Sequence, residues 1–297
     1  MSAEVTVDTT ALQAPAKGRG SVLAGILRSP SGLIGLLLTG AVVTLGLLSV
    51  FNLLPFDPIA QRPEVRLQGP SGEHWFGTDQ FGRDILSRTA SGVANSLLIS
   101  VVAVAFAAII GTAGGLIAGF FRGWSDRSIS GVTNVLFAFP PLLLALSLAS
   151  AFDRTWFTIA VAIAIVYAPI FVRVARGPVL SLREADFVRS ATVVGMRRFA
   201  IIWQHILPNI GAIVIVQITL SLSWAVLTEA SLSFLGLGTP PPAASLGAMI
   251  FEARTLVNFA PWTMFAPGAV IILLVVGLNL LGDGLRDALD PRNRGTK

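Results

Sequence analysis

Six runs with almost no charge, at 33–54, 93–121, 129–152, 156–172, 209–236 and 263–282, dominate the chain. A helix rises about 1.5 Å per residue, so roughly 20 apolar residues cross the ~30 Å hydrocarbon core of a bilayer. Inside lipid every backbone N–H and C=O needs a partner within the protein, which makes such runs helices. The expectation is an all-α integral membrane protein with six transmembrane helices. Apolar residues are 54% of the 297 and charged residues 12%, too few charges to coat a water-soluble domain of this length. Glu229 alone interrupts the fifth run. The run at 93–121 is long enough to tilt, and that at 156–172 is expected to continue past Arg173. Pro140, Pro141, Pro169 and Pro267 lie inside spans and predict kinks there.

Six spans leave both termini on one side. Segments 1–32, 122–128, 173–208 and 283–297 hold 15 of the 21 Lys and Arg, and the alternate loops hold 6. The positive-inside rule therefore places both termini in the cytoplasm. The chain divides into a tail over 1–32, expected to be mobile, a first span with its outer loop over 33–92, a five-helix core over 93–283 and a tail over 284–297. The first apolar run starts too late and runs too long for a cleaved signal peptide. The net charge of +5 sits between apolar runs, which argues against nucleic acid as a partner. There is no cysteine, His74 and His205 lie far apart, and HExxH, phosphate-loop and GxSxG patterns are missing. Neither a catalytic residue nor a metal site is expected.

The inside loop 181–208 reads SLREADFVRSATVVGMRRFAIIWQHILP. Ser181 and Glu184 have the spacing of a capping box, predicting a helix over 182–194 that Gly195 ends in a left-handed conformation. A second helix should reach Leu207, with Pro208 opening the fifth span. Two short helices meeting at a glycine would form a knob carrying Arg183, Arg189, Arg197 and Arg198. The residues alone fit either a loop lying on anionic lipid or a docking element. The stretch resembles the EAA loop of bacterial binding-protein-dependent importers. Ala191, Gly195, Leu207 and Pro208 match that pattern, while Arg189 and Ser190 replace its Glu-Ala. The resemblance implies that this segment, with Ser181, Glu184, Phe187, Arg197 and Arg198, docks into a groove of a cytoplasmic ATPase.

Ahead of the second span stands HWFGTDQFGRDILSR, whose spacing fits neither an EF-hand nor a phosphate loop. Asp84 and Arg88 are spaced to pair at i, i+4. The stretch resembles the GTDxxGRDxxSR pattern of C-type permeases of dipeptide and oligopeptide importers, and Gly77, Thr78, Asp79, Gly82, Arg83, Asp84 and Arg88 all match. Residues 232–292 are similar to the same family, so the likeness covers about 55–292. It implies a type I ABC importer permease (MetI-like) fold with cytoplasmic coupling helices, in a bacterial inner membrane. It also implies a heterodimer with a homologous sister permease, two ATP-binding subunits that hold ATP and Mg, an extracytoplasmic substrate-binding protein and a peptide substrate, with no cofactor in this chain. Nickel and glutathione importers share the signatures. An ion-coupled secondary transporter working through Glu229 is the reading from another class, and it should show inverted repeats. None is visible in the sequence.

Three polar residues inside spans are candidates for the translocation pathway. Glu229 reads as functional by default, or as a hydrogen-bonded structural carboxyl near the outer interface. Gln217 and Asn279 read as pathway residues or as glue between helices. Gly111, Gly115 and Gly119, four residues apart, predict close helix packing.

Overall fold

A computed structural model of the chain describes residues 22–289. The parts of the expected tails at 1–21 and 290–297 lie outside the described residues. Within the expected mobile tail, α1 (Val22–Arg28) is helical and packs against the last helix of the chain. The spans are α2 (Pro30–Val50), α3 (Ile85–Phe121), the pair α4 (Gly123–Phe137) and α5 (Pro141–Ser150), α6 (Trp156–Leu182), α9 (Leu207–Phe234) and α11 (Trp262–Leu289). Short α7 (Asp186–Val193) and α8 (Arg198–Ile201) join α6 to α9, and α10 (Leu246–Ala253) lies between α9 and α11. The described residues contain no strand, as the apolar pattern requires.

Local chemistry sets where each helix begins. Ser29 caps α2 by accepting from the Gly32 amide at 2.9 Å, with Pro30 in the first turn. Asp84 caps α3 through the Ser87 amide at 2.8 Å. Thr155 and Thr158 form a reciprocal box at the start of α6. The third span is broken and not merely kinked: α4 and α5 meet at 92°. Pro140 and Pro141 supply no N–H, and each disfavours helical geometry in the residue before it, so α4 ends before them and α5 restarts with Pro141 in its first turn. Pro169, by contrast, is absorbed inside a continuous α6.

The 37-residue α3 is on the order of 55 Å long, well beyond the ~30 Å core. Its first two turns stand in the loop region ahead of the expected span. It lies along α6, and Gly115 makes that possible: a Cβ there would fall 2.6 Å from the Val172 carbonyl oxygen and 2.7 Å from Ala175 Cβ. Gly111 and Gly119 face α6 in the same way, so the glycine row packs helices as expected. One apolar core joins α3, α5, α6 and α9; a second joins α2, α3, α9, α10 and α11; a third, at the far end of α3, holds α7 and α8.

Candidate functional site

The two ends of α3 carry different machinery. At the Phe121 end, α6 runs on through Ser181 to Leu182, so Ser181 belongs to a last turn and caps nothing. The expected capping box is absent because the α6 hydrogen-bond ladder claims that backbone first. The Glu184 amide bonds the Ser181 carbonyl at 3.2 Å, and α7 starts later, at Asp186, whose charge suits a helix N-terminus. Gly195, with φ of 86°, ends α7 in a Schellman motif: its amide reaches the Thr192 carbonyl at 3.0 Å and the Met196 amide reaches Ala191 at 3.1 Å. The second helix does not stop at Leu207. A π-turn over Ile202–Ile206 carries it directly into α9, with the Leu207 amide bonded to Ile202. A ring at Pro208 would clash with an α-helical carbonyl four residues back, and the wider turn gives it room.

Val188 and Ala191 of α7 bury against Ile201, Ile202 and Ile206, which fixes the knob to the ends of α3 and α6. Arg183 adds a bond from Nη1 to the Phe120 carbonyl at 2.8 Å. The outer side of the knob is left open. Val193 and Val194 are 88% and 82% exposed, and Phe199 and Trp203 are 64% and 65% exposed. Ser181, Phe187, Arg189, Ser190, Gly195, Arg197 and Arg198 are exposed beside them, while Leu207 packs inward. Glu184 lies 3.6 Å from both Arg122 and Arg189, half-exposed contacts worth little each.

At the other end of α3, every residue of the GTDxxGRDxxSR stretch is used internally. Gly77 and Gly82 turn the loop with φ of 74° and 72°. Thr78 Oγ1 accepts from the Gln68 amide at 2.9 Å and donates to the Val65 carbonyl. Asp79 accepts from the amides of Phe81 and Arg83 at 2.8 and 3.0 Å and from Arg83 Nε at 2.6 Å. Arg83 then reaches Glu252 of α10 at 3.0 Å. The expected Asp84–Arg88 pair does not form. Asp84 is occupied in capping α3 and in a 2.9 Å contact with His74 Nδ1, whereas Arg88 turns to Asp79 at 3.5 Å and Glu252 at 3.8 Å. The capping geometry aims the Asp84 carboxylate back along the helix start, away from the next turn. Glu252 was not singled out in the sequence, since nothing nearby marks it as a partner for residues so far away.

Of the polar residues inside spans, Glu229 is fully buried and accepts from Ser96 at 2.5 Å, Ser233 at 2.7 Å and Ser245 at 3.2 Å. It joins α3, α9 and the start of α10. Asn279 accepts from Ser223 at 2.9 Å and ties α11 to α9. Gln217 is placed differently: it bonds Ser221 one turn along its own helix at 3.0 Å and faces a cavity of about 610 Å³ between the α4–α5 break, α6 and α9. Neither Glu229 nor Asn279 lines that cavity. Tyr167, Trp224, Thr228 and Ser231, which do, were missed in the sequence. Their signal was there, a 4-3-4-3 spacing of amphipathic residues from 217 to 231 inside an apolar span.

Comparison with known proteins agrees with this architecture. Residues 111–295 match the family described as binding-protein-dependent transport system inner membrane component. The dipeptide transport system permease protein DppC of Alkalihalophilus pseudofirmus is 48% identical over 230 residues, 77% of this chain and 76% of that protein. The glutathione transport system permease protein GsiD of Pectobacterium atrosepticum is 42% identical over 241 residues, 81% of this chain and 80% of that protein. Among solved structures, a chain of the MetNI methionine ABC transporter in an inward-facing conformation superposes with a TM-score of 0.55 at 17% identity. It covers 67% of this chain and 95% of its own length, a likeness of fold. With its apolar spans, its broken third span and its glycine-ended knob, the chain belongs to the inner membrane component family of binding-protein-dependent transport systems.

Proposed function

We propose that this chain is the permease subunit of an ATP-driven importer of dipeptides or oligopeptides, working with a homologous sister permease, two cytoplasmic ATP-binding subunits and an extracytoplasmic binding protein. The knob is the observation that carries the reading. It presents Val193 and Val194 at the end of α7, with Phe199 and Trp203 exposed on the helix that leads into α9, apolar surface that suits a protein partner, and it is packed against α3, α6 and α9 so that a push on it moves three spans. The chain itself is a non-catalytic subunit, and ATP with Mg belongs to the ATP-binding partners. The excess of Lys and Arg at the knob end supports cytoplasmic termini. The relative named for dipeptide transport supports the substrate class, and the one named for glutathione, a tripeptide, supports a second reading within it.

The test is reconstitution in proteoliposomes with all partner subunits. ATP-dependent uptake of a labelled dipeptide, lost without the binding protein, is expected, and competition by glutathione decides between the two substrates. Peptide uptake driven by an ion gradient with no ATP-binding subunit present would overturn the proposal in favour of a secondary transporter.

A further inference from the structure

The cavity between the α4–α5 break, α6 and α9 combines features that plain helix packing does not require. Gln217, Ser221, Trp224, Thr228 and Ser231 line one wall in a single stripe along α9. The fourteen helical steps from Gln217 to Ser231 make that stripe about 21 Å long, roughly two thirds of the ~30 Å hydrocarbon core. Tyr167 closes onto it from α6, its hydroxyl 3.0 Å from Thr228 Oγ1. The opposite wall comes from the broken span and is apolar, with Phe139, Pro141 and Leu142.

Hydrogen bonding within the chain leaves this stripe unfinished. Thr228 and Ser231 donate back to the carbonyls of Trp224 and Leu227, and Ser221 is used by Gln217. The Gln217 amide oxygen finds no donor and the Trp224 indole N–H no acceptor among the described residues, and Trp224 is 60% exposed. Facing hydrocarbon, such groups would lose the hydrogen bonds that water supplies. Their environment must therefore offer hydrogen bonds. The cavity, at about 610 Å³, has room for roughly 20 waters at ~30 Å³ apiece.

The lining is equally informative for its charge. None of the residues around the cavity is Asp, Glu, Lys, Arg or His. Arg173 stacks 4.2 Å from the centroid of Phe137 without itself lining the space. Amides and hydroxyls both donate and accept, as the N–H and C=O of a peptide group do, whereas a fixed charge would hold one sign of side chain and repel the other.

Resting on the importer reading, we infer that this cavity is the subunit's half of a wetted substrate path, built to hydrogen-bond the neutral peptide backbone and indifferent to side-chain charge. A peptide enters with its charged ends and side chains hydrated. Gln217, Trp224 and Thr228 exchange transient bonds with its amides, and the apolar wall gives no group to which it could stick. Substrates of different net charge then pass at comparable rates.

The chain has no cysteine, so single-cysteine variants in the complete transporter report directly. Gln217→Cys, Thr228→Cys and Ser231→Cys are expected to react with a charged, water-borne methanethiosulfonate at least about tenfold faster than Ile213→Cys and Ile215→Cys, which are exposed on α9 outside the cavity. Equal, slow reaction at all five would mean that lipid or the sister permease fills the space, and would overturn the inference. In the same complex Gln217→Glu is expected to lower the uptake ratio of acidic to basic dipeptides about tenfold. An unchanged ratio would overturn the assigned chemistry. Failure of the unaltered complex to move any peptide would sink the importer reading, and the labelling rates would then decide the cavity on their own.

Discussion

Arg83 donates from Nη2 to Glu252 Oε2 at 3.0 Å, joining residues 169 positions apart. Through this contact the loop after α2 is strapped to α10, and Asp79 holds the same guanidinium from the other side at 2.6 Å. The Asp79 side of the strap is nearly dry, with the Arg83 side chain 10% and the Asp79 side chain 11% exposed, whereas Glu252 is 34% exposed.

Removing Asp79 should therefore cost more than a surface ion pair would. Asp79→Ala strips the acceptor from two backbone amides and two guanidinium groups, and losing one partner of a buried pair costs about 3–5 kcal/mol. The expected result is faster proteolysis within 51–84 and a lower thermal midpoint of the purified complex. Unchanged cleavage and melting would show that the strap carries no stability.

Glu229 tests whether its buried carboxyl is structural. Glu229→Gln keeps a side chain that three serine hydroxyls can satisfy by rotating, so membrane abundance and uptake should stay within about twofold of wild type. Glu229→Leu leaves Ser96, Ser233 and Ser245 without an acceptor, at about 1–3 kcal/mol for each unsatisfied group, and should lower abundance and melting temperature. Uptake abolished by Gln with abundance intact would instead make Glu229 a working carboxylate, and immunoblotting beside transport separates the two.

Gly195 isolates backbone strain from packing, because a Cβ at this position meets no atom within 4 Å. Its φ of 86° costs a β-branched residue on the order of 1–3 kcal/mol, whereas Asn tolerates it. Gly195→Val should keep membrane insertion and assembly but lose the stimulation of ATP hydrolysis by loaded binding protein; Gly195→Asn should retain most of it. Equal stimulation in both variants would remove this turn from the coupling path.

The orientation can be read from intact cells. Ser71→Cys and Ser190→Cys both expose a thiol, at opposite ends of α3. An impermeant thiol reagent added outside should label the first at once and the second only after the membrane is permeabilised. Reversed labelling would turn the molecule over and put the knob on the wrong side.

The sequence alone determined the number and order of the apolar spans and the position of the knob. Transfer of apolar side chains into lipid adds up residue by residue, and a glycine with positive φ or a proline pair acts on the chain beside it, so these features can be read locally. The partners of polar groups could not be read that way. The spacing pairs Asp84 with Arg88, and only the folded chain shows Asp84 capping α3 while Arg88 turns to a glutamate on α10. Ser181 has the spacing of a cap, but α6 continues through it. Glu229 and Gln217, polar residues on the same helix, part company for the same reason. One meets hydroxyls brought from α3 and the start of α10, and the other faces open space left by a span broken 92° at two prolines. A buried polar group takes whichever partner the tertiary structure delivers, and that choice is made by packing between helices far apart in sequence.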